Sequence, residues 1–106
     1  MSVEIVAGPD LPEGVRVVAL TGNVDLSLVR RLRAVLAQAL AGGDEVRIDL
    51  SELRAIDSAG IRELLRAQAL AARCRQRFGV SVANARAYRI LERADARGLM
   101  IETRDR

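Results

Sequence analysis

Residues 49–65 read D-L-S-E-L-R-A-I-D-S-A-G-I-R-E-L-L. The stretch enters from a strand: Val46 to Leu50 alternates, placing Val46, Ile48 and Leu50 on one side, and Ser51 ends the run. A short connection then crosses the sheet edge. Asp57-Ser58 stands directly before a helix predicted to run from Ser58 to about Arg77, with Ile61, Leu64, Leu65, Ala69 and Ala72 towards the core and Gly79 ending it. A strand, a short link and an amphipathic helix in this order are the repeating unit of an α/β protein.

The flanking sequence extends this unit. Upstream, Val15 to Leu20 is a β-branched and aliphatic run that stops at a turn signal, Thr21-Gly22-Asn23, and Val3 to Val6 is its expected partner. Gly8, Pro9, Pro12 and Gly14 between them suit a hairpin-like connection. From Ser27 a helical period places Leu28, Val29, Leu32, Val35, Leu36, Ala39 and Leu40 inward, and Gly42-Gly43 stops it. Downstream, Val80 to Ala83 reads as a short strand. Ala87 to Arg97 reads as a helix with Ile90, Leu91 and Ala94 inward, and Leu99 to Thr103 as a last strand or extended tail. The order β-β-α-β-α-β-α-β predicts an α/β fold with a mixed, mainly parallel sheet covered by helices, because parallel neighbours need crossover connections.

Composition narrows the chemistry. The 106 residues are 50% hydrophobic, with 17 basic and 14 acidic side chains and a formal charge of +3. A chain of this length can bury roughly 65% of its unfolded surface, enough for one compact core without disulfides or a structural metal. Phe78 and Tyr88 are the only aromatic residues, too few to form a stacking platform for single-stranded nucleic acid. All the basic side chains are arginine. Histidine is absent, which removes the usual neutral-pH proton shuttle, the Ser-His and Cys-His nucleophile pairs and the commonest metal ligand. Cys74 stands alone, cannot form an internal disulfide and suits a reducing cytoplasm. No apolar run reaches the roughly 20 residues of a membrane span, and Met1 to Pro9 lacks the pattern of a signal peptide. The expected location is therefore cytoplasmic, without membrane insertion.

Few residues are candidates for chemistry. Gly42-Gly43 is followed by acids and no Gly-Lys-Ser/Thr occurs, so there is no phosphate-binding loop of the P-loop type. Asp44, Glu45, Glu52 and Glu63 fall where solvated loop or helix positions are expected. Arg86, Arg89, Arg93 and Arg97 recur at helical spacing and form a stripe, best read as a solvated face. Ser58 reads locally as a helix N-cap, and Ser27 and Ser51 as cap and strand-end residues. Position 61 is isoleucine, so no capping box is completed. A serine at a helix start is also suited to phosphorylation, since free N–H groups and the positive end of the helix dipole accommodate the added anion.

Asp49 to Leu65 resembles the signature of the STAS domain, the fold of bacterial anti-sigma factor antagonists, in which a strand leads through D-L-S and an apolar link to I-D-S-x-G and a helix. Thr21-Gly22-Asn23-Val24-Asp25-Leu26 is similar to the family's G-E-L-D turn, and Val82-Ala83-Asn84 with Arg86 to Leu91 to its later strand and helix. The resemblance implies one STAS domain over residues 1–106 that is not an enzyme and uses no cofactor. It further implies that Ser58 is the phosphoacceptor for an anti-sigma factor that is itself a serine kinase of the GHKL class. Asp25 and Asp57 match acids beside the acceptor and would orient its hydroxyl or shape the docking surface, and Gly60 is the glycine of D-S-x-G. On this view the unmodified protein binds the anti-sigma kinase, freeing the sigma factor for transcription, and phosphorylation releases it.

Two residues depart from the family pattern: Asn23 replaces the expected Glu, and Arg62 stands where small residues are frequent. Both bear on partner choice. Related STAS domains serve as accessory subunits of lipid transporters or in stress-signalling scaffolds without the switch, and this is the alternative. Direct nucleic-acid binding is not expected.

Overall fold

The computed structural model describes residues 2–6 and 13–100. Its strands are β1 (Ser2–Val6), β2 (Val15–Val24), β3 (Glu45–Leu50), β4 (Leu53–Ile56) and β5 (Phe78–Ala83), and its helices α1 (Val29–Ala41), α2 (Ser58–Arg73) and α3 (Ala85–Arg93). The main path of the sheet runs β1-β2-β3-β5, with β4 attached to β2. β1 is antiparallel to β2, whereas β2–β3, β3–β5 and β2–β4 are parallel pairs. The mixed, mainly parallel sheet with helical crossovers is therefore present. The prolines and Gly8 assigned to the first connection lie outside the described residues.

The longest strand differs from its expected length for a local reason. Thr21-Gly22-Asn23 does not end β2. Gly22 takes a φ of +71°, open to glycine without steric cost, and the register shifts between Gly22 and Asn23. Beyond this irregularity β2 continues to Val24. Its first half pairs with β3 (Val15–Ala19 with Glu45–Asp49) and its last residues with β4 (Gly22–Val24 with Leu53–Ile56). The link expected at residues 53–56 is thus a fifth strand.

Period-two burial is clearest in β3, where Val46, Ile48 and Leu50 are buried and join Leu20, Leu32, Leu36, Leu64 and Leu91 in one aliphatic core. α1 buries Leu32, Val35, Leu36 and Ala39 as its period requires. α2 buries Gly60, Ile61, Glu63, Leu64, Ala67 and Ala71 instead. Leu65, Ala69 and Ala72, expected inward, are exposed, because the buried stripe passes through a charged residue, Glu63. Ala94 is likewise exposed, and Ala96 fills the core in its place.

Helix ends account for the remaining differences. α2 stops at Arg73, and the chain turns through Arg75 at a φ of +55°, so Gly79 is free to lie inside β5. α3 runs from Ala85 to Arg93 and closes through Asp95 at a φ of +57°. These are left-handed closures on side-chain-bearing residues. Leu99 belongs to a 3-10 turn, Arg97–Leu99, and Met100 makes a single parallel bridge to Val80. The rest of the proposed last strand lies outside the described residues.

Candidate functional site

β2 and β4 leave the sheet together. Val24 is in register with Ile56, and the Asp57 N–H donates to the Val24 carbonyl at 3.1 Å, so Asp25 and Asp57 emerge from adjacent parallel strands. Asn23, exposed and opposite Ala55, precedes them on the same edge.

Each aspartate then starts a helical turn. The Asp25 carboxylate accepts from the Ser27 N–H at 3.0 Å and from its hydroxyl at 2.5 Å, capping the 3-10 turn Leu26–Leu28 that leads into α1. Ser27, expected as a cap, is the donor. These hydrogen bonds hold the Asp25 carboxyl below its ordinary pKa, the side-chain bond from Ser27 being the larger cause. Asp25 is therefore an exposed anion at neutral pH.

Asp57, not Ser58, is the N-cap of α2: its Oδ1 accepts from the Gly60 N–H at 3.1 Å, and its backbone is extended at φ −87°, ψ 177°. Ser58 is the first helical residue and is exposed, with its hydroxyl outside the cap. The capping role expected of Ser58 thus falls to its neighbour, whose extended backbone directs its carboxylate over the first turn. Since the Gly60 N–H goes to the Asp57 side chain and the Ile61 N–H to the Asp57 carbonyl, the N–H groups of Ser58 and Ala59 lie outside the helix's own bonding.

Gly60 is buried because α2 starts directly over β4. A Cβ at this position would lie 2.6 and 2.8 Å from the Ile56 side chain and 3.6 Å from Val24. The glycine is therefore a packing requirement. Arg62, exposed, lies four residues after Ser58 on the same helix face, a spacing from which its side chain reaches back towards position 58. The edge thus gathers Asn23, Asp25, Asp57, Ser58 and Gly60, with Arg62 one turn into α2.

Two supports behind this edge escaped the sequence reading. Glu63 is only 7% exposed and accepts a two-pronged hydrogen bond from Arg33 of α1, at 3.1 and 2.6 Å. This bond is the main cause of a Glu63 pKa below the usual value; burial opposes it, and the nearby charges of Arg33, Arg66 and Arg62 assist. Placement on a solvated face was mistaken for Glu63. It was mistaken for Glu45 too, which opens β3 and pairs half-buried with Arg47 at 2.9 Å. The second support is Asn84. Its side chain caps α3 by accepting from the Ala87 N–H at 2.6 Å, and its amide donates to the carbonyls of Ser51 and Leu53 at 3.0 and 3.1 Å. An Asn directly before a helical run is the available sequence signal for that cap.

Arg86, Arg89 and Arg93 lie on α3, but Arg97 belongs to the following 3-10 turn, so the expected four-residue stripe ends one residue early. Among the described residues no group of three His, Cys, Asp or Glu side chains could hold a metal ion, and no helix is long and apolar enough to cross a membrane.

The fold agrees with comparisons to known proteins. The chain belongs to the STAS domain family: residues 8–102 match the family described as Mlab, STAS domain. Its fold is similar to that of the anti-sigma factor antagonist SpoIIAA in its unphosphorylated form, with a TM-score of 0.76 and 15% identity over 98% of this chain and 90% of that one. The Bacillus cell fate determinant SpoIIAA in the phosphorylated form gives a TM-score of 0.71 at 15% identity, covering 98% and 93%. An anti-sigma factor antagonist from Mycobacterium paratuberculosis gives 0.73 at 18% identity, covering 96% and 86%. No curated protein sequence matches significantly.

Proposed function

We propose that this chain is an anti-sigma factor antagonist that binds a GHKL-class anti-sigma kinase when unmodified and is released on phosphorylation of Ser58. The observation that carries the reading is Ser58 itself, exposed at the first position of α2 with its hydroxyl outside the cap, beside Asp57 and on the edge shared with Asp25. The structural likeness to an antagonist solved in both unphosphorylated and phosphorylated forms supports it. In this role the protein receives a phosphoryl group and catalyses nothing.

The switch follows from charge. A phosphate adds about −1.5 to −2 charges on an edge already carrying Asp57 and Asp25. The start of α2 stabilises the added anion by about 0.3–1 kcal/mol, so the domain stays folded. Burying that anion in an interface without a matching cation costs several kcal/mol. The interface effect is the larger, and it weakens binding by about a hundredfold or more. Arg62 moderates this effect, because from position i+4 its guanidinium can pair with the phosphate.

A second reading, a STAS accessory subunit of a transporter without the switch, is favoured by Arg62 and Asn23, which depart from the antagonist pattern, and by the family description, which names Mlab rather than an antagonist. Titration of the co-purifying partner with unmodified protein, phosphoprotein and Ser58→Asp separates the two. Loss of affinity on modification supports the switch. Equal affinities, or recovery of transporter subunits with no ATP-binding kinase, support the second reading.

A further inference from the structure

Two adjoining clefts of about 250 and 300 Å³ form one groove between α1 and α2. They share Ala37, Leu40 and Leu70, and Leu36, Ala67 and Ala71 complete an aliphatic wall. Leu70 is 45% exposed, so a large apolar side chain faces water where the two helices do not close on each other. The ends of the groove differ. At one stand Arg66 and the Arg33–Glu63 pair. At the other stand Cys74 and Gln76, whose amide nitrogen already donates to the carbonyls of Leu40 and Asp44 at 3.2 and 2.6 Å. Glu63 is the one acidic residue of α1 and α2, and Arg33 neutralises it. Arg66 makes no hydrogen bond or ion pair with another described residue. The groove is thus an apolar trough with an unmatched cation at one mouth.

We propose that this groove binds a single alkyl chain ending in a carboxylate, with the head group at Arg66 and the tail running towards Cys74. The dimensions suit such a ligand. Eight residues separate Arg66 from Cys74 along α2 and its C-cap, about 12 Å at roughly 1.5 Å per residue. An extended alkyl chain advances roughly 1.25 Å per carbon, given C–C bonds of about 1.5 Å, so about eight to ten carbons span the groove. Its tail removes the aliphatic wall from water and carries most of the affinity, whereas the exposed ion pair at Arg66 sets the direction. Other occupants fit less well. A partner helix, about 10–12 Å across, rests on the rim at Ala37 and Leu70 and leaves the buried floor at Ala67 and Ala71 unfilled. A second copy related by a two-fold axis sets the same arginines against each other with no acid to offset them. Ser58 is not part of the groove, and the site does not depend on the proposed switch.

Calorimetric titration of the full chain with hexanoate, octanoate and decanoate, below micelle-forming concentrations and at about 0.15 M salt, tests this site. Each added methylene should tighten binding about twofold to fourfold, as apolar surface leaves water. Leu70→Gln should weaken decanoate binding about fivefold or more, and Arg66→Gln about twofold to fivefold. Arg30→Gln, outside the groove on α1, should leave binding unchanged. All three variants should melt near the wild-type temperature, since these side chains are exposed. Cys74 is the one cysteine of the chain and is exposed, so its alkylation by iodoacetamide reports on the far end of the groove. At equal occupancy decanoate should slow this alkylation, and hexanoate, too short to reach, should not. Decyltrimethylammonium, with the same tail and the opposite charge, should bind more weakly than decanoate. Affinity independent of chain length, equal binding of decyltrimethylammonium, no response to Leu70→Gln and Arg66→Gln, or binding only of phosphatidylglycerol vesicles or an acidic peptide would overturn the proposal.

Discussion

Asp57 and Gly60 form one device: the Asp57 carboxylate accepts the Gly60 N–H at 3.1 Å, and the missing Cβ of Gly60 lets α2 start directly over Ile56. Gly60→Ala forces the Ile56 side chain to move, and the expected loss is about 1–3 kcal/mol in chemical denaturation. The paired variant Gly60→Ala with Ile56→Ala should lose less than the sum of the two single changes. Additive losses would show that the close approach is not the cause.

Caps and acceptors separate at neighbouring positions. Asp57→Ala removes the α2 cap and should cost about 0.5–2 kcal/mol. Ser58→Ala, at an exposed position outside the cap, should stay within about 0.5 kcal/mol of wild type while abolishing phosphate incorporation. A cap-sized loss on Ser58→Ala, or phosphate mapped to Ser27 or Ser51, would contradict the assignment.

Asp25 tests charge separately from geometry. Asp25→Asn keeps an oxygen to accept from Ser27 and removes the negative charge on the edge shared with Asp57. If the carboxylate helps to orient the acceptor hydroxyl, phosphorylation by the cognate kinase slows while the melting temperature holds. An unchanged rate removes Asp25 from the site.

The Arg33–Glu63 pair makes a pH prediction. Glu63 has a folded pKa below its ordinary value of 4.5, so folding favours its ionised form. Its contribution is complete above about pH 4.5 and is lost as pH falls from there through the lowered folded value. Glu63→Gln should therefore destabilise at pH 7 and converge towards wild type in acid, as read from urea midpoints across pH 3–7. Arg33→Met with Glu63→Leu should recover most of what Arg33→Met alone loses, because no buried carboxylate is left without its guanidinium. A Glu63→Gln deficit constant across pH would show that lost packing, not charge, is responsible.

The legible parts of the chain are those where one signal dominates. Val46, Ile48 and Leu50 alternate without interruption, and Leu32, Val35, Leu36 and Ala39 follow one helical period, so β3 and α1 were readable. α2 was harder. Its alanines lie on several faces, and the buried stripe includes Glu63, whose charge is accommodated chiefly by a hydrogen-bonded partner, Arg33, 30 residues earlier in the chain. Asp57 and Ser58 are both good capping residues, and backbone angles decide between them. Gly22 marks an irregularity inside β2 rather than its end, because β4, four residues long, provides a further partner. The closures at Arg75 and Asp95 carry no glycine to announce them. The D-S-x-G edge was legible as a motif, whereas Asn84's bonds to Ser51 and Leu53 depend on contacts more than 30 residues apart.

β4 also has a dynamic consequence. Among the described residues it is hydrogen-bonded to a strand on one side only, through Gly22–Val24, and its leading turn is held by the Asn84 amide. β3, in contrast, is flanked by strands on both sides. A segment tethered this lightly opens at a fraction of the free energy needed to unfold the core, so it behaves as a separate cooperative unit. Amides from Ala55 to Gly60 should exchange with solvent well before those of Val46 to Leu50. A partner that has to reshape the chain around Ser58 then works against this local barrier, and the aliphatic core behind it can remain closed throughout.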